Sequence, residues 1–258
     1  MKGIIMKKNN TTIKNITLGS VLLSNFMGSG LSGSLWQPQT AQKEITYNIQ
    51  ATQELEKILK GMEEFEYDSY DKFRQIPNFF TMMNFINRGA NPCAENNHHW
   101  TLWHFAAKFN RWYILPQFIE KIKNSIGQEY LVKYFNKKND MGRTPLHEAI
   151  INNSNEVVQN LIFNGANLAA KDNFGQTPLH TAAMVGNLIA IKALFEAIKN
   201  IRPDILLAYV NTLDRLFQTP LDSAKDIYNQ DKRFKIISEL RLYGAKTAEE
   251  LGKALFWF

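Results

Sequence analysis

Gly142-Arg143-Thr144-Pro145-Leu146-His147-Glu148-Ala149 and Gly175-Gln176-Thr177-Pro178-Leu179-His180-Thr181-Ala182-Ala183 are two copies of one phrase, their threonines 33 residues apart. Each position has a mechanical reading. Thr is placed to cap the orphan N–H groups of a helix start, and Pro follows where a missing N–H costs nothing. The alanines keep the helix thin, so that a neighbouring unit can approach it. In phase with the first copy, Asn164-Gly165-Ala166-Asn167 closes a second helix, Gly165 supplying the positive φ of a helix end. Leu146, Leu161 and Ile162, with Leu179, Leu194 and Phe195, recur at helical spacing and read as the seam between units. A single helix pair cannot bury such a face alone, so the units must stack.

The phrase G-x-T-P-L-H-x-A at this spacing resembles the ankyrin repeat. Weaker copies then become legible on both sides. Thr101-Leu102-Trp103-His104-Phe105-Ala106-Ala107 keeps Thr, His and the alanines, while Thr219-Pro220-Leu221-Asp222-Ser223-Ala224 keeps Thr, Pro, Leu and one alanine. Trp103 stands where the phrase has Leu, and Asp222 where it has His, which puts strict repeat geometry in question at both. Asn87-Arg88-Gly89-Ala90-Asn91 and Tyr243-Gly244-Ala245-Lys246 supply two further repeat ends. The resemblance implies an all-α ankyrin-repeat solenoid of stacked helix-turn-helix units, about five repeats with atypical terminal caps.

The spacing is uneven. Thr101 to Thr144 is 43 residues and Thr177 to Thr219 is 42, so two repeats are elongated by about ten. Tyr130 to Asn136 and Ile205 to Asn211 are alike, which suggests a long-short pair of repeats that was duplicated. The insertions are expected to lengthen the second helix and to add a short apolar segment. Upstream, Thr52 to Phe65 reads as a helix with Leu55, Ile58, Leu59 and Met62 on one side, and Asn78 to Asn87 as its partner. Downstream, Thr247-Ala248-Glu249-Glu250 is a capping box that opens a last helix ending in Phe256-Trp257-Phe258. The domain reading is therefore a leader over 1–40, N-terminal helices and an atypical first repeat over 41–96, ankyrin repeats over 97–246 and a capping helix over 247–258.

Net charge is +6, but Lys2, Lys7, Lys8, Lys14 and Lys43 all precede the first acid, Glu44. The remainder is nearly balanced, which argues against nucleic acid as a partner. Lys7, Lys8 and Lys14 followed by an uncharged run to Trp36 have the layout of an export signal. That reading is favoured, with a disordered leader of a cytoplasmic protein and a retained anchor left open. Once the leader is removed, no membrane association is expected. Cys93 is the lone cysteine and reads as a structural thiol.

No phosphate loop, nucleophile elbow, H-E-x-x-H or dinucleotide fingerprint occurs, so no catalytic, cofactor or metal residue is assigned. His104, His147 and His180 fall on the repeat phrase, where the family's histidine holds the turn. His98-His99, on an extended loop, would point in opposite directions. What the resemblance implies is a non-enzymatic, monomeric module that binds another protein through its loop tips and the exposed side of its first helices. Carried over position by position, that surface comprises His98, Trp100, Lys108 and Phe109; Met141, Arg143, Ile151 and Asn152; Phe174, Gln176, Met184 and Val185; and Leu216, Gln218, Asp226 and Ile227. A second reading is a self-assembling or membrane-associated scaffold using the apolar tail. The Asn, Lys, Ile and Phe content points to an A/T-rich genome, and such arrays behind a leader resemble those of host-associated bacteria.

Overall fold

Each Thr-Pro-Leu phrase opens a short helix, and in the computed structural model, which describes residues 10–12, 46–61 and 79–255, these helices stack. The first helices α3 (Leu102–Lys108), α6 (Pro145–Ile151), α8 (Pro178–Val185) and α11 (Pro220–Ser223) lie side by side. Behind them stand the second helices α4 (Leu115–Ile126), α7 (Asn155–Phe163), α9 (Leu188–Ile201) and α12 (Gln230–Leu242). A leading pair, α1 (Ile49–Gly61) and α2 (Phe79–Asn87), and a closing helix, α13 (Ala248–Leu255), complete five helix pairs and a cap among the described residues. Among the described residues the two strands form a ribbon in which β1 (Asn10–Thr12) runs antiparallel to β2 (Thr46–Asn48). The rest of the leader, Met62 and the aromatic tail Phe256-Trp257-Phe258 lie outside the described residues.

Helix α1 starts three residues before the expected Thr52 because Asn48 caps it: its Oδ1 accepts the Ala51 N–H at 3.0 Å. Thr52 is instead a tie to the next element, its hydroxyl accepting the Asn91 N–H at 2.9 Å. At the other end, the Thr247-Glu250 box closes as read, with Glu250 accepting the Thr247 N–H and Thr247 accepting the Glu250 N–H. Arg241 grips the same Glu250 carboxylate through two N–H groups, and this pairing holds the carboxyl down at about 2.

The two elongated repeats share a device. Helices α4 and α9 run 12 and 14 residues against nine in α7, and each leads into an added helix, α5 (Gln128–Phe135) or α10 (Leu206–Val210). Just past these, Asn136 and Asn211 each offer Oδ1 at 2.7 Å to a backbone N–H of a following loop, Asn167 and Lys246 respectively. The two elongated repeats thus share the same hydrogen bond at matched positions.

Trp103 does not break the geometry; the insertion makes room for it. Its indole sits 4.7 Å from both Phe118 and Phe135, the latter carried by α5. In the second long repeat the matching positions are Leu179, Leu194 and Val210, all fully buried. One repeat fills its interior with three aromatic side chains and the other with three aliphatic ones. Ala106, Ala107, Ala149, Ala182 and Ala183 are buried where first helices meet, the close approach that small side chains permit.

The phrase histidines couple neighbouring repeats. Nδ1 of His104, His147 and His180 accepts the backbone N–H of Thr101, Thr144 and Thr177 at 3.1 to 3.2 Å. This places the ring proton on Nε2, which donates to the carbonyls of Arg143, Gln176 and Gln218 in the following repeat. Asp222 takes the same place in the last repeat and reverses the polarity. Its Oδ2 accepts from Thr219 N–H at 3.1 Å and from Ala248 N–H at 2.7 Å. A histidine donor serves where the neighbour presents a carbonyl, and a carboxylate serves where the neighbour is the N–H-rich start of α13.

Candidate functional site

Four loops project on the side where the first helices begin, and one recurring side chain shapes each. Oδ1 of Asn96 accepts the N–H groups of His98 and Trp100; Asn139 does so for Met141 and Arg143. Asp172 holds Phe174 and Gln176, and Asp214 holds Leu216 and Gln218, every distance lying between 2.8 and 3.0 Å. All four carriers are buried. Sequence reading passed over them, although the signal was there: an Asn or Asp stands five residues before every phrase threonine. Replacing Asn139 by Ala should cost about 2 kcal/mol, since two backbone donors lose their acceptor; urea denaturation checks this.

Adjacent tips are stitched to each other. Asp140 N–H donates to His98 O at 3.1 Å, Asn173 N–H to Met141 O at 2.9 Å and Arg215 N–H to Phe174 O at 2.9 Å. Gly142 and Gly175 permit this, both having positive φ, because a Cβ on either would lie within 2.8 Å of a backbone atom of the next tip. His99 and Phe217 occupy the equivalent positions and also have positive φ, 58° and 59°. His99 is therefore not on extended backbone, and the two histidines do not point apart. His98 Nδ1 lies 3.0 Å from one Asp140 oxygen and His99 Nε2 lies 3.7 Å from the other. Among the described residues, no group of three or more His, Cys, Asp or Glu side chains is arranged to hold a metal ion.

The sequence-derived surface divides into three parts. Met141, Phe174 and Leu216 stand at matched tip positions with their side chains in solvent, Phe174 58% and Leu216 73% exposed, and His98 is exposed at the fourth. Met184, Gln218 and Asp226 are exposed, while Arg143, Ile151, Asn152 and Gln176 are half-buried. Trp100, Phe109 and Val185 are half-buried and pack on the core. Lys108 Nζ lies over the rings of Trp100 and Phe109 at 5.4 and 5.6 Å, which makes one amphipathic shelf of the three. Ile227 is a correction: it is only 8% exposed, because α11 ends after one turn and the chain turns inward there. Phe217, missed in the sequence, is 74% exposed. A bulky residue with positive φ is strained, and such strain is kept where the surroundings or a function demand it.

Burial governs the chemistry of the titratable groups. It pushes His104 and His147 down to about 4, and the Cys93 thiol up to about 12, so all three are neutral at pH 7. Cys93 is thus an unreactive packing thiol. Helices paired in two rows, with linked tips along one edge and no helix among the described residues long and apolar enough to cross a membrane, define a helical-repeat solenoid.

The family model for ankyrin repeats matches residues 78–172 and 104–206, together half of the chain, and the protein belongs to that family. Ankyrin repeats generally mediate protein–protein interaction, and the family is typically non-enzymatic. The chain is 32% identical to NF-kappa-B inhibitor alpha of Gallus gallus over 35% of its own length and 26% of the relative's. It is 39% identical to the 26S proteasome regulatory subunit p28 of Saccharomyces cerevisiae over 37% of its length and 38% of the relative's. An ankyrin repeat protein of Rickettsia bellii is 33% identical over 44% of the chain and 48% of the relative. The chain thus spans less than half the length of each of these.

Proposed function

We propose that this protein is a non-catalytic binding module whose tip row, Met141, Phe174, Leu216 and Phe217, meets a partner protein. The observation that carries this reading is that row: large apolar side chains at matched positions of adjacent loops, held in solvent by buried Asx residues and hydrogen-bonded tips. Apolar anchors on a rigid support suit an interface core, because little ordering entropy is lost on binding. The layout of the leader supports export of the module, and the bacterial relative agrees with a bacterial source.

Phe217→Gly gives a test in which stability and binding move in opposite directions. Relief of the left-handed backbone should stabilise the fold by about 1 kcal/mol. Loss of the aromatic anchor should weaken partner capture at least roughly tenfold. A Met141→Ser, Phe174→Ser double variant should behave likewise in capture, whereas Phe163→Ser, on an exposed site of α7, should not. Capture unaffected by either tip change would refute the proposal. The alternative of self-assembly through the tail predicts a concentration-dependent mass in light scattering, and that tail lies outside the described residues.

A further inference from the structure

Adjacent repeats differ at one buried charge. In the third of the four tip loops the Asp172 carboxylate is almost wholly buried, and Arg143 from the preceding loop sets its Nε 3.9 Å from Oδ2. The same guanidinium lies 3.8 Å from Glu148. One repeat on, Asp214 is the equivalent residue, 6% exposed, its Oδ1 likewise occupied by two backbone N–H groups. Gln176 stands where Arg143 stood, and the Asp214 Oδ2 atom is buried without a hydrogen-bond partner among the described residues. The lysine that accompanies each site does not answer the charge. Lys138 donates to the Lys171 carbonyl, and Lys171 donates to the Leu213 carbonyl, in strict parallel.

A buried carboxylate oxygen with no donor is costly unless something completes it. The preceding repeat shows what can: a guanidinium from the neighbouring tip that approaches to ion-pair distance. Phe174, Leu216 and Phe217, all exposed, belong to the two tips that flank the site. We infer that the Asp214 carboxylate is the receptor for an arginine side chain of the partner, carried between apolar residues that rest on those tips. Half-exposed Gln176 holds the position from which Arg143 approaches one repeat earlier, so the incoming guanidinium would enter there with side-chain movement of the scale usual at interfaces. An arginine suits the site better than a lysine, since a planar fork can meet the carboxylate and still satisfy a second acceptor. This inference rests on the tip row being the binding surface and adds the chemistry of what it binds.

The probe is the peptide N-acetyl-Leu-Arg-Phe amide, compared with the same peptide carrying uncharged citrulline for arginine. Binding is followed at the backbone amides of Leu216 and Gln218, which donate to Asp214. The arginine peptide should bind at least roughly tenfold more tightly, as expected of a charge-assisted pair. Asp214→Asn should erase that preference while folding normally, since Asn139 fills the same role in another tip. Gln176→Arg should also erase it, by supplying the missing cation, and should raise the Tm. Equal binding of the two peptides by the unaltered protein, or a preference that survives Asp214→Asn, would overturn the inference. If arginine preference is absent while Phe217→Gly still weakens partner capture, the inference alone fails. If the preference is present but capture ignores the tips, the functional proposal fails.

Discussion

Between pH 6.5 and 4 the array should lose several kcal/mol of stability, although no acidic residue in the helix seams is responsible. His104 and His147 are neutral in the fold down to about 4 because burial disfavours their charged forms. In the unfolded chain they take up protons near pH 6.5. Within that window the unfolded state holds more protons, so stability falls as pH falls, by about 1.4 kcal/mol per pH unit for each histidine at most. Above 6.5 the contribution is complete, and below about 4 it is spent. Protonation also removes Nδ1 as the acceptor for the threonine N–H groups, so the tie that closes each helix start is lost while Nε2 still donates to the next repeat. His180 is shifted down for the same reason and adds to the effect. Glu148 is raised by burial and works the other way, offsetting a part. Thermal or urea unfolding at intervals from pH 7.5 to 4.5 should show a steep decline, and a flat profile would contradict the account.

Trp103→Ala should be the most damaging single truncation, costing about 3 to 5 kcal/mol through lost burial and an unfilled cavity. The reason lies in the insertion, since α5 adds Phe135 to a space that the indole spans. Trp103→Phe should cost much less, because it also removes a buried indole N–H that has no partner among the described residues. Repeat arrays transmit stability mainly between neighbours. Hydrogen exchange should therefore quicken in α3 to α5 and α6 in the alanine variant, while α12 keeps its protection.

The fold was largely legible because the repeat phrase encodes local mechanics that stacking does not override. Thr-Pro starts, alanine contacts and glycine ends appear where they were read, and the capping box at Thr247 closes as written. The likeness of the two elongated repeats was also readable, down to Asn136 and Asn211. What escaped were relations between residues far apart in the chain. Nothing local says that Asp222 faces a helix start instead of a carbonyl, or that Phe217 takes a conformation filled by Gly at two other tips. Ile227 is carried to the surface by register with the other repeats, but α11 makes a single turn and the residue is buried. The Asx side chains stand at constant spacing, but their role lies in the loops and not in the helical phrase.

The central claim is that the tip row is where another protein binds. A photo-reactive benzoylphenylalanine placed at Phe174, and separately at Phe163, tests it directly in cells producing the full chain. Both side chains are exposed, but only the first lies on the tip edge. The account predicts a defined protein adduct from position 174 that disappears when Met141→Ser and Phe217→Gly are added, and none from position 163. Adducts from position 163 alone, equal adducts from both, or none from either would contradict it.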